Sequence, residues 1–174
     1  LFAKILTMNN LNQILSCFRF RTDECKVSRQ GSIVPPSLYR NDYSMCVMER
    51  QINDTVDTRK LLSLYAQGAT LVFAELNAKW SPIQWLKKEM VKTCSATVLT
   101  NVFLTPRHAQ GFSMHYDSHD VLLLQLAGSK LWRVHAAPSE LPLKSQTFNK
   151  GSVAEQTTEA AEELFEVEMQ EGDV

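Results

Sequence analysis

The chain has 174 residues, 44% of them hydrophobic and 21% charged, with a formal net charge of −1. That length can bury a sizeable core in one domain. The near-neutral balance gives no electrostatic footprint for a nucleic-acid backbone, so no direct nucleic-acid partner is expected. No apolar run approaches a membrane span, and no stretch reads as a secretory leader. The four cysteines, Cys17, Cys25, Cys46 and Cys94, are irregularly spaced and contain no CxxC pair. They are expected to be reduced thiols of a cytoplasmic or nuclear protein rather than zinc ligands.

In chain order, Asn9 or Asn10 caps a short predicted helix carrying Leu11, Ile14 and Leu15. Cys17 to Arg21 and Lys26 to Arg29 read as short strands. Residues 31–55, with Pro35-Pro36 and little periodicity, read mostly as loop. Asp57 caps a second helix with Leu61, Leu62, Leu64 and Tyr65 on its apolar face, and Gly68 ends it. Residues 69–76 form an apolar strand. Ser81-Pro82 starts a third helix, in which Ile83, Leu86 and Met90 recur at helical spacing. A strand over 95–104 ends at Thr105-Pro106.

The second half turns to β. Residues 121–126 are nearly continuous apolar sequence. Ala127-Gly128-Ser129 supplies turn chemistry, and residues 130–135 continue as a strand, which predicts a local hairpin. An acidic helix is expected over 153–163. Phe165, Val167 and Met169 alternate with polar residues as a half-buried strand. Leu1 is not a methionine, and the chain stops just after this strand, so both ends are expected to lie inside a larger domain.

Chemistry concentrates between Asn101 and Arg133. His115-Tyr116-Asp117 is an HxD triplet. On a strand its first and third residues share a face, so an imidazole and a carboxylate converge, as in two corners of a facial triad on non-haem iron(II). Composition alone yields such a triplet roughly 0.4 times by accident, so a surface His and Asp beside a turn is the competing reading. Lys130 shares strand parity with Trp132 and Val134. If that face is interior, the ammonium enters apolar space and needs an anion. If it is not, Lys130 bends out to water from the strand end.

The whole stretch resembles the JmjC-type oxygenases of the ribosomal-oxygenase, or cupin-4, group. Asn101-Val102-Phe103-Leu104-Thr105-Pro106 resembles their strand before the metal site. Gln110-Gly111-Phe112 followed by His115 and Asp117 resembles their first two ligands. Residues 124–133, LQLAGSKLWR, resemble their hairpin with its cosubstrate lysine, here Lys130. Glu171-Gly172-Asp173 resembles the approach to their third ligand, a histidine expected beyond Val174. The motifs cover about a fifth of the chain.

The resemblance implies a mixed α+β fold, a double-stranded β-helix of the cupin type with flanking helices, in a partial domain over 1–174. Residues 1–94 would form the helix-rich flank and first strands, and 95–174 the barrel strands with the HxD site. It implies iron(II) on His115 and Asp117, with 2-oxoglutarate as cosubstrate contacted by Lys130 and Asn101, and no catalytic side chain beyond the metal ligands. The implied reaction is hydroxylation of a protein side chain, histidine or arginine of a ribosomal protein, in the cytoplasm, nucleus or nucleolus. A homodimer is compatible with it. Phe103 stands where the family often has a tyrosine, and His108, His119 and His135 are not expected to be ligands. Two alternatives stay open, a non-catalytic cupin-like binding module and a JmjC histone lysine demethylase.

Overall fold

The computed structural model describes residues 4–137, 141–143, 145, 146, 148 and 161–174. They form two compact units, one of residues 8–113 and one of the described residues among 1–7 and 114–174.

The first unit opens with helix α1 (Met8–Cys17), which buries Leu11, Ile14 and Leu15, one stripe at helical spacing. Asn9 and Asn10, the expected caps, lie inside its first turn. Cys17 to Arg21 is not a strand: Cys17 ends α1, Phe20 enters the core, and Arg21 makes a single bridge to Thr55. Strands β1 (Cys25–Arg29) and β2 (Ser32–Ile33) follow as a hairpin turning on Gln30 and Gly31, both at positive φ. That is the turn whose twist suits a two-residue hairpin. Gly31 has a second reason to be glycine. A Cβ there would lie 3.2 Å from Cβ of Ser113 and 3.3 Å from its backbone nitrogen.

The expected loop over 31–55 contains one further small hairpin, β3 (Met45–Val47) with β4 (Arg50–Ile52). Asp57 caps α2 (Thr58–Ala66) as expected, its carboxylate accepting from the backbone N–H of Arg59 and of Lys60. Gly68, at φ +92, lets the chain leave the helix. Strand β5 (Thr70–Ala74) is the centre of the unit. Thr70, Leu71, Val72 and Phe73 are all buried. Helix α3 (Ser81–Cys94) has Trp80, not Ser81, at its cap position, with Pro82 in its first turn. Ser95, at φ +50, ends it, so strand β6 (Asn101–Leu104) begins six residues later than expected.

The sheet runs β2-β1-β5-β6, antiparallel throughout. Val27 pairs with Leu71, and Phe73 lies between Cys25 and Val102. The Phe20 ring packs 5.3 Å from that of Phe73. The Lys79 ammonium sits 4.9 Å from the Phe20 centroid and pairs with Glu24.

In the second unit the predicted hairpin partner is wrong. Strand β7 (Lys130–His135) forms, but residues 121–126 are not a strand. The partner of β7 is β8 (Glu163–Met169), with Lys130 opposite Met169, Trp132 opposite Val167 and Val134 opposite Phe165. Ala127-Gly128-Ser129 still bends the chain, Gly128 at φ +64. It delivers Gln125 to the far end of β8, where its backbone bonds to Gly172 and Asp173. Most of the expected acidic helix over 153–163 lies outside the described residues, and Glu163 begins β8. Met169 is buried, while Phe165 and Val167 are exposed, so β8 is less covered than its alternation implied. The fold is mixed α+β with antiparallel sheets of four, two and two strands; the described residues form no closed barrel. No helix among them is long and apolar enough to cross a membrane.

Phe73→Ala removes a fully buried ring from the central strand, and should destabilise the fold by about 3–5 kcal/mol, measured by urea denaturation. Burial, with a smaller contribution from the Glu24 carboxylate, pushes the Cys25 thiol up to about 12, whereas the other three cysteines are exposed. A thiol-reactive disulfide reagent at pH 8 should therefore label three cysteines quickly and Cys25 only after unfolding.

Candidate metal and cosubstrate site

Alternation along β7 decides the setting of Lys130. Lys130, Trp132 and Val134 are half-buried, and Leu131 and Arg133 are exposed. Pairing with β8 adds Met169, Val167 and Phe165 to the Lys130 face. The other face carries Arg133 and Glu166, whose side chains form an exposed ion pair at 2.6 Å. Of the two settings the sequence left open for Lys130, the half-buried one is seen, beside apolar side chains of which Phe165 and Val167 are themselves exposed, and burial pulls its ammonium below the ordinary lysine range. The ammonium lies 4.9 Å from the centroid of the Trp132 ring. The indole Nε1–H of Trp132 is buried and meets no acceptor among the described residues.

The HxD triplet departs from the strand expectation. Residues 112–129 include no strand, and His115 and Asp117 are both exposed. They nevertheless line one cavity of about 320 Å³ with Tyr116, Ser118, His119 and Phe148. Two contacts organise its wall. The Tyr116 ring meets Phe148 edge-on at 5.8 Å, and the Tyr116 hydroxyl donates to the Gln146 carbonyl at 3.0 Å. The His115 ring lies 6.2 Å from Phe148. His119, set aside from the sequence, lines the same cavity. Even so, no group of three His, Cys, Asp or Glu among the described residues could hold a metal. His135 points elsewhere, its Nδ1 3.0 Å from the Ala161 carbonyl.

Residues 105–113 are anchored within the first unit. Ser28, fully buried on β1, donates its hydroxyl to the Gly111 carbonyl at 2.9 Å. Asn101 opens β6 opposite Ala74, with an exposed side chain. Phe103 is exposed and packs against Phe112 at 5.9 Å. A larger cavity, about 480 Å³, lies in the first unit near Arg40, Asp42 and Gln51, but its one carboxylate is already paired with Lys60. The smaller cavity is lined by two imidazoles and a carboxylate, those of His115, His119 and Asp117. Phe148 was missed in the sequence because an aromatic in a polar loop carries no periodic signal. Trp132 was legible only as a marker of strand parity.

The JmjC domain family model matches residues 76–174, more than half the chain. The chain belongs to the JmjC domain family. The matched JmjC region contains Asn101, His115, Asp117 and Lys130. A Drosophila persimilis protein named bifunctional lysine-specific demethylase and histidyl-hydroxylase NO66 is 36% identical over 110 residues, 63% of this chain and 15% of that protein. A protein of the same name from Dictyostelium discoideum is 41% identical over 78 residues, 42% of this chain and 14% of its own length. Ribosomal oxygenase 1 of Rattus norvegicus is 40% identical over 81 residues, 45% of this chain and 13% of its own. The chain thus spans about 15% or less of these relatives.

The lowered Lys130 value has a sign that can be checked. Between that value and the ordinary lysine range, the unfolded chain holds more protons than the folded one, so this group makes stability rise with pH across the window. Lysine-selective NMR over a pH titration should show one side chain titrating below the others, and Lys130→Met should delete that signal.

Proposed function

We propose that this JmjC chain is part of an iron(II)- and 2-oxoglutarate-dependent oxygenase that hydroxylates a protein side chain. The observation that carries the reading is the occurrence, in one unit, of an HxD-lined cavity and a lysine held against an apolar strand face. The names of the relatives support it and direct the choice of substrate towards histidine, with ribosomal protein as the source. Antiparallel β7–β8 fits a segment of a double-stranded β-helix.

The donor chemistry fits. His115 offers a neutral nitrogen and Asp117 an anionic oxygen, the mixture that suits iron(II) in a facial triad. Lys130 offers a positive charge on a half-buried strand face, where partial loss of water strengthens pairing with a carboxylate. Bound metal and cosubstrate would supply the oxidising equivalent that inserts one oxygen atom of dioxygen into a C–H bond, with succinate and carbon dioxide released. His115 and Asp117 would hold the metal. Lys130 would fix the far carboxylate of the cosubstrate, and Trp132 and Val134 would keep water from that ion pair. Asn101 is proposed as a further cosubstrate contact. Lysine demethylation uses the same chemistry, and the first half of the NO66 name favours it as the second reading.

Incubation of the full-length protein with histidine-containing ribosomal-protein peptides, iron(II) and 2-oxoglutarate should add one oxygen atom to the peptide by mass spectrometry. His115→Ala and Asp117→Ala should abolish that gain. Loss of a methylene from a methyl-lysine peptide instead would favour demethylation. Lys130→Met keeps bulk and deletes charge. It should weaken 2-oxoglutarate binding by hundreds-fold, since breaking a buried charge pair costs about 3–5 kcal/mol. Undiminished binding by Lys130→Met would remove the cosubstrate assignment.

A further inference from the structure

We infer that Trp132 is a second determinant of carboxylate recognition, its indole N–H donating to the same far carboxylate that Lys130 attracts; this rests on the cosubstrate reading above. Three observations converge on it. Lys130 and Trp132 stand two residues apart on β7, both half-buried on one face. The Lys130 ammonium lies against the indole ring, 4.9 Å from its centroid. The Trp132 Nε1–H is buried with no acceptor among the described residues.

A buried indole N–H without a partner is costly, and tryptophan normally finds one. The cross-strand neighbours on this face are Met169, Val167 and Phe165, and their side chains offer no oxygen. Any anion drawn in by Lys130 arrives beside the orphan donor carrying two strong acceptor oxygens. Ring and donor then have separate tasks. The π face holds the ammonium in place before the ligand arrives, and the N–H gives the carboxylate a direction that a lone ammonium, with its three rotatable donors, cannot impose. The pair would thereby select a dicarboxylate over a 2-oxo acid that lacks the second carboxylate.

The test measures equilibrium binding to the full-length protein loaded with manganese(II), using two probes. 2-Oxoglutarate carries the far carboxylate; 2-oxobutyrate keeps the 2-oxo acid end and lacks it. Trp132→Phe should weaken 2-oxoglutarate about tenfold, as expected for a hydrogen bond to a charged group. It should leave the affinities for 2-oxobutyrate and manganese(II) unchanged. Benzothienylalanine at position 132 keeps the fused ring and deletes only the N–H, and should reproduce the loss. Equal weakening of both probes by Trp132→Phe would mean that the indole is only structural. Wild-type affinity with benzothienylalanine would show that the N–H contributes nothing, and either result overturns the inference. If Lys130→Met leaves 2-oxoglutarate binding intact, the cosubstrate reading itself fails; if only the Trp132 variants are silent, that reading survives and this inference does not.

Discussion

The first unit depends on covering β5. Four consecutive residues of this strand are buried, so both faces need packing and both edges need partners. β1 and β6 supply the edges. Phe20 supplies a ring against Phe73, and the fully buried Leu76 and Leu61 belong to the segments on either side of the strand. Thr70, polar and fully buried within that strand, donates its hydroxyl to Thr105 at 3.0 Å, just past the end of β6. The demand for partners on β5 thus fixes where the chain stands at residue 105 within this unit.

From there a few close approaches guide the backbone. Ser28 holds the Gly111 carbonyl, and Gly31 leaves room for Ser113. Both lie on or beside the β1–β2 hairpin, roughly eighty residues earlier in the chain. This explains how a segment without regular structure can be held in place. The scaffold of the loop is a turn and one buried hydroxyl, each contributed by a distant strand.

Legibility followed the range of the interactions. Asp57, Gly68 and Pro82 act within one turn of backbone, so α2 and α3 could be read from local sequence. Parity along β7 is equally local: it grouped Lys130 with Trp132 and Val134 but left open whether that face is covered. The partner of β7 is a long-range choice. Residues 121–126 have the composition of a strand and the turn beside them is real, yet β8 begins 28 residues after the end of β7 and wins the pairing. Periodicity cannot compare two such partners. The HxD triplet was read as lying on a strand, and it lies on none. Its two side chains share a cavity through loop geometry set by Tyr116, Gln146 and Phe148, which strand alternation does not describe.

The β7–β8 ribbon also bears on colloidal behaviour. Leu164, Phe165 and Val167 are exposed on β8. Among the described residues β7 and β8 pair with no third strand, and a two-stranded ribbon with exposed apolar side chains is a template for strand addition. In the sequence of β8, however, Glu163, Glu166 and Glu168 flank and interrupt those residues; Glu166 pairs with Arg133, and Glu163 lies 4.0 Å from the His135 imidazole. Stacking like strands in register would bring these carboxylates together. Acidic side chains interleaved with exposed apolar ones in this way oppose such stacking, which is the arrangement of gatekeeper residues.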